Sequence, residues 1–296
     1  MSDLLPASAH PAAEPIAARP SGAPFLRAAL RNRRTQAGLA LLIPLVVLIA
    51  AGPALAPYNP NAFVGLQFSA PSSHFWLGTD ELGRDVLSRL LVGGWSTLTV
   101  SLLGTILGVA AGTAIGLATA IAKSRSSNVV MRLLDAVISF PQYVLVLLFV
   151  SVFGSPAWLT ICLVGAIWAP QVARVIRAAA LAVVEQDFIR FSLTLGTSRL
   201  RIMFLEVLPS VTAPLSVEFG VRLTYSIALV AGLGFLGFGP PPPAANWGSM
   251  ITENQAGISI QPWAVLAPVL AIGMLTVAVN LVADGLAQSS ARGARR

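Results

Sequence analysis

Charged residues are scarce in this sequence, and their scarcity excludes a water-soluble fold. Only 10% of the 296 residues are Asp, Glu, Lys or Arg, whereas 55% are hydrophobic. Soluble domains carry about 25% charged residues, which they need in order to cover their surface. A mean hydropathy of +0.77 agrees with this deficit, and the composition therefore indicates a membrane protein.

Residue types that build catalytic and metal sites are also nearly missing. Cys162 is the only cysteine, which excludes a disulfide framework and a cysteine-based metal site. His10 and His74 are the only histidines, and neither has a matching partner in its segment. The only lysine, Lys123, follows Ala122, so the sequence has no Gly-x4-Gly-Lys-Ser/Thr loop for ATP. We expect no catalytic residue, no metal and no cofactor on this chain.

Six apolar segments are each long enough, at about 20 residues, to cross a membrane as a helix. Pro141 should kink the third of them, and the turn Gly154-Ser155-Pro156 joins the third to the fourth. The sequence therefore predicts an all-α polytopic membrane protein with six transmembrane helices. The predicted spans are 37–56, 98–122, 136–153, 157–173, 211–238 and 263–283.

Basic residues are concentrated in alternate connecting segments, which is the positive-inside pattern rather than a nucleic-acid-binding stripe. Only Arg84 and Arg89 fall in a predicted outer connection, and Arg222 falls within the fifth span. Both termini are therefore predicted to be cytoplasmic, and no nucleic-acid partner is expected. The inner basic residues are Arg19, Arg27, Arg31, Arg33, Arg34, Lys123, Arg125, Arg132, Arg174, Arg177, Arg190, Arg199, Arg201, Arg292, Arg295 and Arg296.

The spans also divide the chain into regions. We expect a largely disordered, Pro/Ala-rich cytoplasmic tail and a first transmembrane helix, followed by a periplasmic loop, a five-helix core and a cytoplasmic C-terminal tail. The core includes a long cytoplasmic loop, and because neither long loop is a mere connector we expect function in both. In chain order the regions are 1–36, 37–56, 57–97, 98–286 (with the cytoplasmic loop at 174–209) and 287–296.

The periplasmic loop contains the run HFWLGTDELGRDVLSRLLVGG at residues 74–94. Thr79 or Asp80 can cap a helix whose apolar face includes Leu82 and Val86, so the run predicts an amphipathic helix along the outer surface. The alternative is an interfacial helix that only anchors the protein. The run resembles the signature of ABC importer permeases of the dipeptide/oligopeptide/nickel family, with matches that include Gly78, Thr79, Asp80, Gly83, Arg84 and Asp85.

The cytoplasmic loop predicts two short helices separated by a glycine. Residues 188–195 suit the first helix, Gly196 ends it, and Ser198 caps a second helix that runs to Val207. Such an element on the inner face suits a partner protein. The alternative is a helix pair on the membrane surface, held by contacts between arginines and lipid headgroups.

The spacing from Gly196 to Leu208 and Pro209 resembles the EAA loop of ABC importer permeases, which docks into a groove on the ATPase subunit. Arg190, Phe191 and Ser192 stand where that family has Glu-Ala-Ala, so we expect a compensating acidic residue on the cognate ATPase. The resemblance implies an ATPase-coupling loop that comprises Asp187, Arg190, Phe191, Ser192, Gly196, Arg199, Ile202, Leu208 and Pro209.

Further matches extend the resemblance to about residues 74–286. They include Asn246-Trp247-Gly248-Ser249-Met250 and the closing run from Asn280 to Leu286. The resemblance implies a type I ABC importer permease fold in the bacterial inner membrane and a C-type subunit that forms half of a pathway for peptides, nickel chelates or glutathione. It also implies a B-type permease subunit, two ATP-binding subunits that hold ATP and Mg, and a periplasmic or lipid-anchored substrate-binding protein.

Glu218 and Arg222 are the charged residues of the fifth span, and charges in a span default to function. Four residues apart, they can pair on one helix face. Two roles are open: they line a pathway, or they form a neutralised pair that locks two helices together. A secondary transporter would need more such residues and internal repeats, and an enzyme embedded in the membrane would need clustered His, Asp or Glu; the sequence has neither.

Overall fold

The computed structural model describes residues 23–122, 125–241 and 244–293, and its regular structure is helical throughout. One isolated antiparallel bridge joins Thr79 to Asp85. The helices in chain order are α1 (Ala23–Leu30), α2 (Arg33–Leu55), α3 (Val86–Ala122), α4 (Arg125–Ile138), α5 (Gln142–Phe153), α6 (Ala157–Val184), α7 (Asp187–Thr194), α8 (Arg199–Ile202), α9 (Leu208–Ser210), α10 (Thr212–Leu233), α11 (Trp247–Asn254) and α12 (Trp263–Gly293).

The transmembrane helices agree with the predicted spans in number and place. Among the described residues, α2, α3, α6, α10 and α12 are each long and apolar enough to cross a membrane. The third predicted span is broken near Pro141, where α4 and α5 meet at 79°. It supplies the sixth crossing if the bent pair counts as one span. The sequence-based prediction of six spans is therefore confirmed. The kink predicted at Pro141 in the third span is a sharp bend in the structure.

The centre of the fold is the packing of α3 on α6. Gly104, Gly108, Gly112 and Gly116 recur every fourth residue of α3 and form one strip along the helix. A Cβ on Gly112 would lie 2.6 Å from the Ala169 carbonyl oxygen, and the other three glycines also face α6. Small residues allow close helix approach in lipid, so the strip packs the subunit internally and does not line a pathway.

We expect Gly112→Ala to destabilise the purified chain by about 1–3 kcal/mol, because the new methyl group would meet the backbone of α6. The change is measured as thermal unfolding in detergent. Gly273→Ala in α12 is the matched control, since a Cβ there has no described atom within 4 Å. Equal melting shifts for the two variants would contradict the packing role of the strip.

The N-terminal tail is more ordered than its composition predicts. Residues 1–22 lie outside the described residues, but residues 23–36 form α1 and the start of α2. Phe25 and Ala29 of α1 are buried, and the Asn32 side chain donates a hydrogen bond to the Gly285 carbonyl of α12 at 3.2 Å. Residues 23–36 of the predicted tail are therefore helical, because α12 provides an apolar surface that they cover, and the disorder predicted for the start of the tail falls on residues outside the described ones.

Helices α6 and α12 extend beyond the predicted limits of their spans. α6 continues through Val184, so the inner loop begins about eleven residues later than the predicted start at Arg174. Ile176 and Ala180 of this extension are fully buried, and burial of that face offsets the presence of polar Arg174 and Arg177. The predicted C-terminal tail at 287–296 is likewise helical through Gly293.

Candidate functional site

The signature in the outer loop forms a tight turn instead of the predicted amphipathic helix. Residues 78–85, called the outer turn below, are non-helical, and α3 begins only at Val86. Gly78 and Gly83 have φ values of +73° and +75°. Such positive values favour glycine, because it has no Cβ that would clash with the backbone. A Cβ on Gly83 would lie 2.2 Å from the Gly65 carbonyl oxygen, so the turn also requires glycine for space.

Asp80 is the centre of a buried ion cluster in the outer turn. Its Oδ2 accepts hydrogen bonds from Arg84 Nε and Arg89 Nη1, both at 2.6 Å. Its Oδ1 accepts from the backbone N–H groups of Leu82 and Arg84. The side chains of Asp80 and Arg89 are only 1% exposed. Charges this deeply buried are tolerated only when they are paired and hydrogen-bonded.

Two further polar residues of the outer turn, Thr79 and Asp85, fix its ends. Thr79 donates to the Leu66 carbonyl at 2.6 Å and accepts from the Ser69 N–H at 2.8 Å. Asp85 accepts from the backbone N–H and the hydroxyl of Ser88. Asp85 is therefore the residue that caps α3, whereas the sequence predicted Thr79 or Asp80 in that role.

The outer turn is joined to α11, far along the chain. Glu253 Oε2 lies 2.8 Å from both Arg84 Nη2 and Arg89 Nη1. The Asn254 side chain accepts from the Glu81 N–H at 2.9 Å, and the Gln261 side chain donates to the outer loop at the Leu77 carbonyl. These contacts join the outer loop to residues 247–261, the segment that follows the fifth span, and the joined unit is called the outer plate below.

The carboxyl group of Glu81 lies in an environment that disfavours its ionised form. Burial raises the pKa of Glu81 above its ordinary value, and the nearby Glu253 carboxylate raises that pKa further. Arg84 and Arg89 act in the opposite direction but do not cancel these effects. The ionised form of Glu81 is therefore less favourable in the folded protein than in the unfolded chain.

We expect Glu81→Gln to raise the melting temperature at pH 7 and to leave it unchanged below about pH 4. Because the folded-state pKa is raised, the stability that Glu81 allows is fully present below its unfolded pKa and is lost as pH rises through its folded pKa. Glutamine removes this loss. Melting curves at the two pH values check the prediction, and an equal shift at both would contradict it.

Within the membrane, Glu218 and Arg222 of α10 form the predicted ion pair. Arg222 Nε donates to Glu218 Oε1 at 2.6 Å, and Arg222 Nη1 donates to the Gln171 side chain of α6. The guanidinium also lies over the Trp168 ring, 5.3 Å from its centroid. Trp168 in turn donates to Ser226 at 2.8 Å. The pair therefore belongs to a polar network between α6 and α10.

The inner loop forms the predicted helix–glycine–helix element. α7 begins at Asp187, Gly196 has a φ of +78°, and Ser198 caps α8 by accepting a hydrogen bond from the Arg201 N–H. A π-helical turn, Met203–Val207, continues α8 toward Leu208 and Pro209 at the start of α9. The sequence-based prediction of these two helices is confirmed.

Three apolar residues anchor this loop in the core. Ile189, Ile202 and Val207 are buried and pack in one cluster with α3 and α6, for example against Leu117 and Ile176. The Ser192 hydroxyl adds a hydrogen bond to Glu206 at 3.3 Å. Because the loop is attached to both central helices, a displacement of α7 would be carried directly to them.

The face of α7 that points away from the core is apolar and exposed. Phe191 and Leu195 are 65% and 69% exposed, and Phe188 is about half-exposed. Arg199, the first residue of α8, is also exposed. The side chain of Arg190 lies outside the described part of the chain, so its predicted role is not tested. An exposed apolar helix face of this kind marks a contact surface.

Several residues of these sites were not predicted from the sequence. Glu253, Asn254 and Gln261 complete the outer plate, and Trp168 completes the network around Arg222. No local pattern marks them as partners, because each lies more than 50 residues from the group it contacts. One indication of such partners is present in the sequence: an unpaired charge within a span is costly, so Arg222 needs partners on a neighbouring helix.

The chain matches the family model for the inner membrane component of binding-protein-dependent transport systems over residues 104–296. It is 34% identical over 272 residues to a protein of Brucella suis biovar 1 provisionally named a peptide permease, covering 90% of both chains. It is 32% identical over 284 residues to the di/tripeptide transport system permease protein DppC of Pseudomonas aeruginosa, covering 93% of this chain and 94% of that protein.

A solved structure has a similar fold. An inward-facing form of the MetNI methionine ABC transporter contains a chain that superposes with a TM-score of 0.55 at 17% identity. The match covers 68% of this chain and 96% of that chain. This similarity confirms the predicted type I ABC importer permease fold.

Proposed function

This chain belongs to the family of inner membrane components of binding-protein-dependent transport systems, and from that premise we propose how it moves its solute. It is a multi-pass permease subunit of an ABC importer. We propose that it forms half of the translocation pathway, with a second, B-type permease subunit forming the other half. Peptides are the proposed solutes, because relatives that match over nine-tenths of the chain are named as peptide permeases.

The open face of α10 is the proposed wall of this pathway. Tyr225 on that face is 53% exposed, and Arg222 and Glu218 lie about one turn and two turns nearer the inner end of α10. An ionised pair is costly against lipid tails. A half-exposed polar aromatic residue beside a nearly buried charge pair therefore favours water or a partner subunit on that side, rather than lipid.

The loop from α7 to α9 is the proposed coupling element. Its apolar face, with Phe191 and Leu195, would fit a groove on an ATP-binding subunit, and its core residues Ile189 and Ile202 would pass the movement of that subunit to α3 and α6. ATP and Mg would be bound by two such partner subunits. The compensating acidic residue expected opposite Arg190 stays a prediction.

The outer plate is the proposed docking platform for the substrate-binding protein. The ion cluster around Asp80 holds the outer loop against α11, so the surface that faces the periplasm keeps a fixed shape. Phe63, Leu66 and Trp76 are exposed on this loop outside the spans. A rigid surface that carries exposed aromatic residues suits a protein partner.

Uptake by the whole transporter, reconstituted in lipid vesicles, tests the proposed function. We expect peptide uptake to require ATP and the binding protein, and we expect it to be abolished when residues 187–207 are scrambled, since coupling would be lost. The measurement is radiolabelled peptide inside the vesicles. Uptake that survives ATP depletion and collapses with the proton gradient would instead indicate a secondary transporter.

A further inference from the structure

A cavity of about 330 Å³ opens beside Glu218 at the inner end of the proposed pathway. It lies between α6, α10 and α12, and its volume corresponds to roughly ten water molecules. Glu218 is six residues into α10 and so about 9 Å from the inner end of that helix. The lining residues are Val175, Pro214, Val217, Glu218, Ala287, Ser290 and Ala291.

The carboxylate of Glu218 is only half used by the pair with Arg222. Both contacts from the Arg222 guanidinium, through Nε and Nη2, go to Oε1. Within the described part of the chain, Glu218 Oε2 accepts no hydrogen bond. It is also not one of the fully buried polar atoms that lack a partner, so it is accessible from the cavity. Glu218 therefore offers a negatively charged acceptor to the cavity.

Resting on the proposed pathway, we infer that Glu218 is a binding residue for a primary ammonium group of the solute, such as the free amino terminus of a peptide. An ammonium group donates three hydrogen bonds. One would go to Glu218 Oε2, and the hydroxyl of Ser290, which lines the same cavity, is a second acceptor. The solute would reach this site after passing Arg222, just before its release to the cytoplasm.

The surroundings of Glu218 favour an ammonium group over other ligands. A divalent metal ion such as Ca²⁺ takes six to eight oxygen ligands, whereas the remaining lining residues are apolar. An anion would need the guanidinium of Arg222, which is already in contact with Glu218, Gln171 and the Trp168 ring. Arg222 acts as a positioning residue that fixes Oε1 and leaves Oε2 toward the cavity.

The test is equilibrium binding to the assembled transporter, solubilised without its binding protein so that only the membrane subunits can select the ligand. The probes are trialanine and N-acetyl-trialanine, detected by saturation-transfer NMR. We expect wild type to bind trialanine about tenfold more tightly than the acetylated probe, and Glu218→Gln to lose this preference, because a charge-assisted hydrogen bond is removed. Glutamine keeps the acceptor for Arg222, so the helix pair is maintained.

Asp284→Asn is the matched control, because it removes a half-exposed carboxylate at the inner end of α12 and should keep the preference. If Glu218→Gln fails to assemble, the double variant Glu218→Gln/Arg222→Gln replaces it and should also lose the preference.

Equal binding of the two probes by wild type, no binding of either, or an unchanged preference in the Glu218 variant would each overturn the inference. ATP-driven peptide uptake in vesicles separates this inference from the proposed function. If the wild-type transporter takes up no peptide, the proposed function itself is wrong.

Discussion

Replacing Asp80 with alanine is expected to cost about 3–5 kcal/mol of stability, because it leaves two buried guanidinium groups without their shared carboxylate. Arg84 and Arg89 both bond to Asp80 Oδ2 at 2.6 Å, and Glu253 alone cannot replace it because it is the more exposed partner. The backbone N–H groups of Leu82 and Arg84 would also lose their acceptor. The outer turn should therefore open.

Two measurements check this expectation. Thermal unfolding of the purified chain gives the loss of stability, and amide hydrogen exchange should rise over residues 57–85 while the exchange of α6 changes little. Asp135→Asn is the control, since its ion pair with Arg174 is 3.6 Å long and exposed and should contribute less than about 1 kcal/mol. A loss for Asp80→Ala no greater than that of the control would refute the cluster as the support of the plate.

Replacing Phe191 with aspartate should detach the ATP-binding subunits. The aromatic ring is 65% exposed in the isolated chain, so a role in its own core is small, and in the proposed interface it would be a central anchor. Loss of such an aromatic anchor typically costs about 2 kcal/mol or more, a factor of roughly 30 in affinity. A carboxylate in the same groove adds an unpaired charge.

Co-purification of the ATP-binding subunits with the tagged chain measures this effect, and ATP-driven uptake should fall with it. The conservative variant Phe191→Leu keeps an apolar side chain and should retain most of the complex. Both variants should melt like wild type as isolated chains, because Phe191 contributes little to the core. If Phe191→Asp retains its ATP-binding subunits at wild-type levels, α7 is not the coupling surface.

Local signals predicted the parts of the structure that local physics determines. The spans follow from hydropathy, because unpaired backbone groups cannot lie in lipid and each apolar run must become a helix. The inner element follows from Gly196 and Ser198, since a positive φ and a helix cap are properties of single residues.

The outer turn could not be predicted, because its stability comes from distant partners. Leu82 and Val86 have the spacing of an apolar helix face, but Leu82 is exposed and Val86 is buried at the start of α3. Glu253, which pairs with Arg84, lies 169 residues away. A helix over residues 79–85 would have separated Asp80 from Arg89, so the ion cluster overrides the local helical pattern.

The same distinction applies to the intramembrane site. The spacing of Glu218 and Arg222 was sufficient to predict their pairing, because residues four apart share a helix face. It was not sufficient to predict that both contacts fall on Oε1, because that asymmetry depends on Gln171 and Trp168 of α6, which hold the guanidinium in place. The unused oxygen is a property of the tertiary structure alone.

The contact between the first and last helices has a consequence for biogenesis. Asn32 bonds to Gly285, 253 residues later in the chain, and a Cβ on Gly38 would collide with Val282. α2 must therefore wait in the bilayer without its partner until the ribosome has finished α12. Nascent chains that stop before α12 would leave this face of α2, at Asn32 and Gly38, without the helix that covers it.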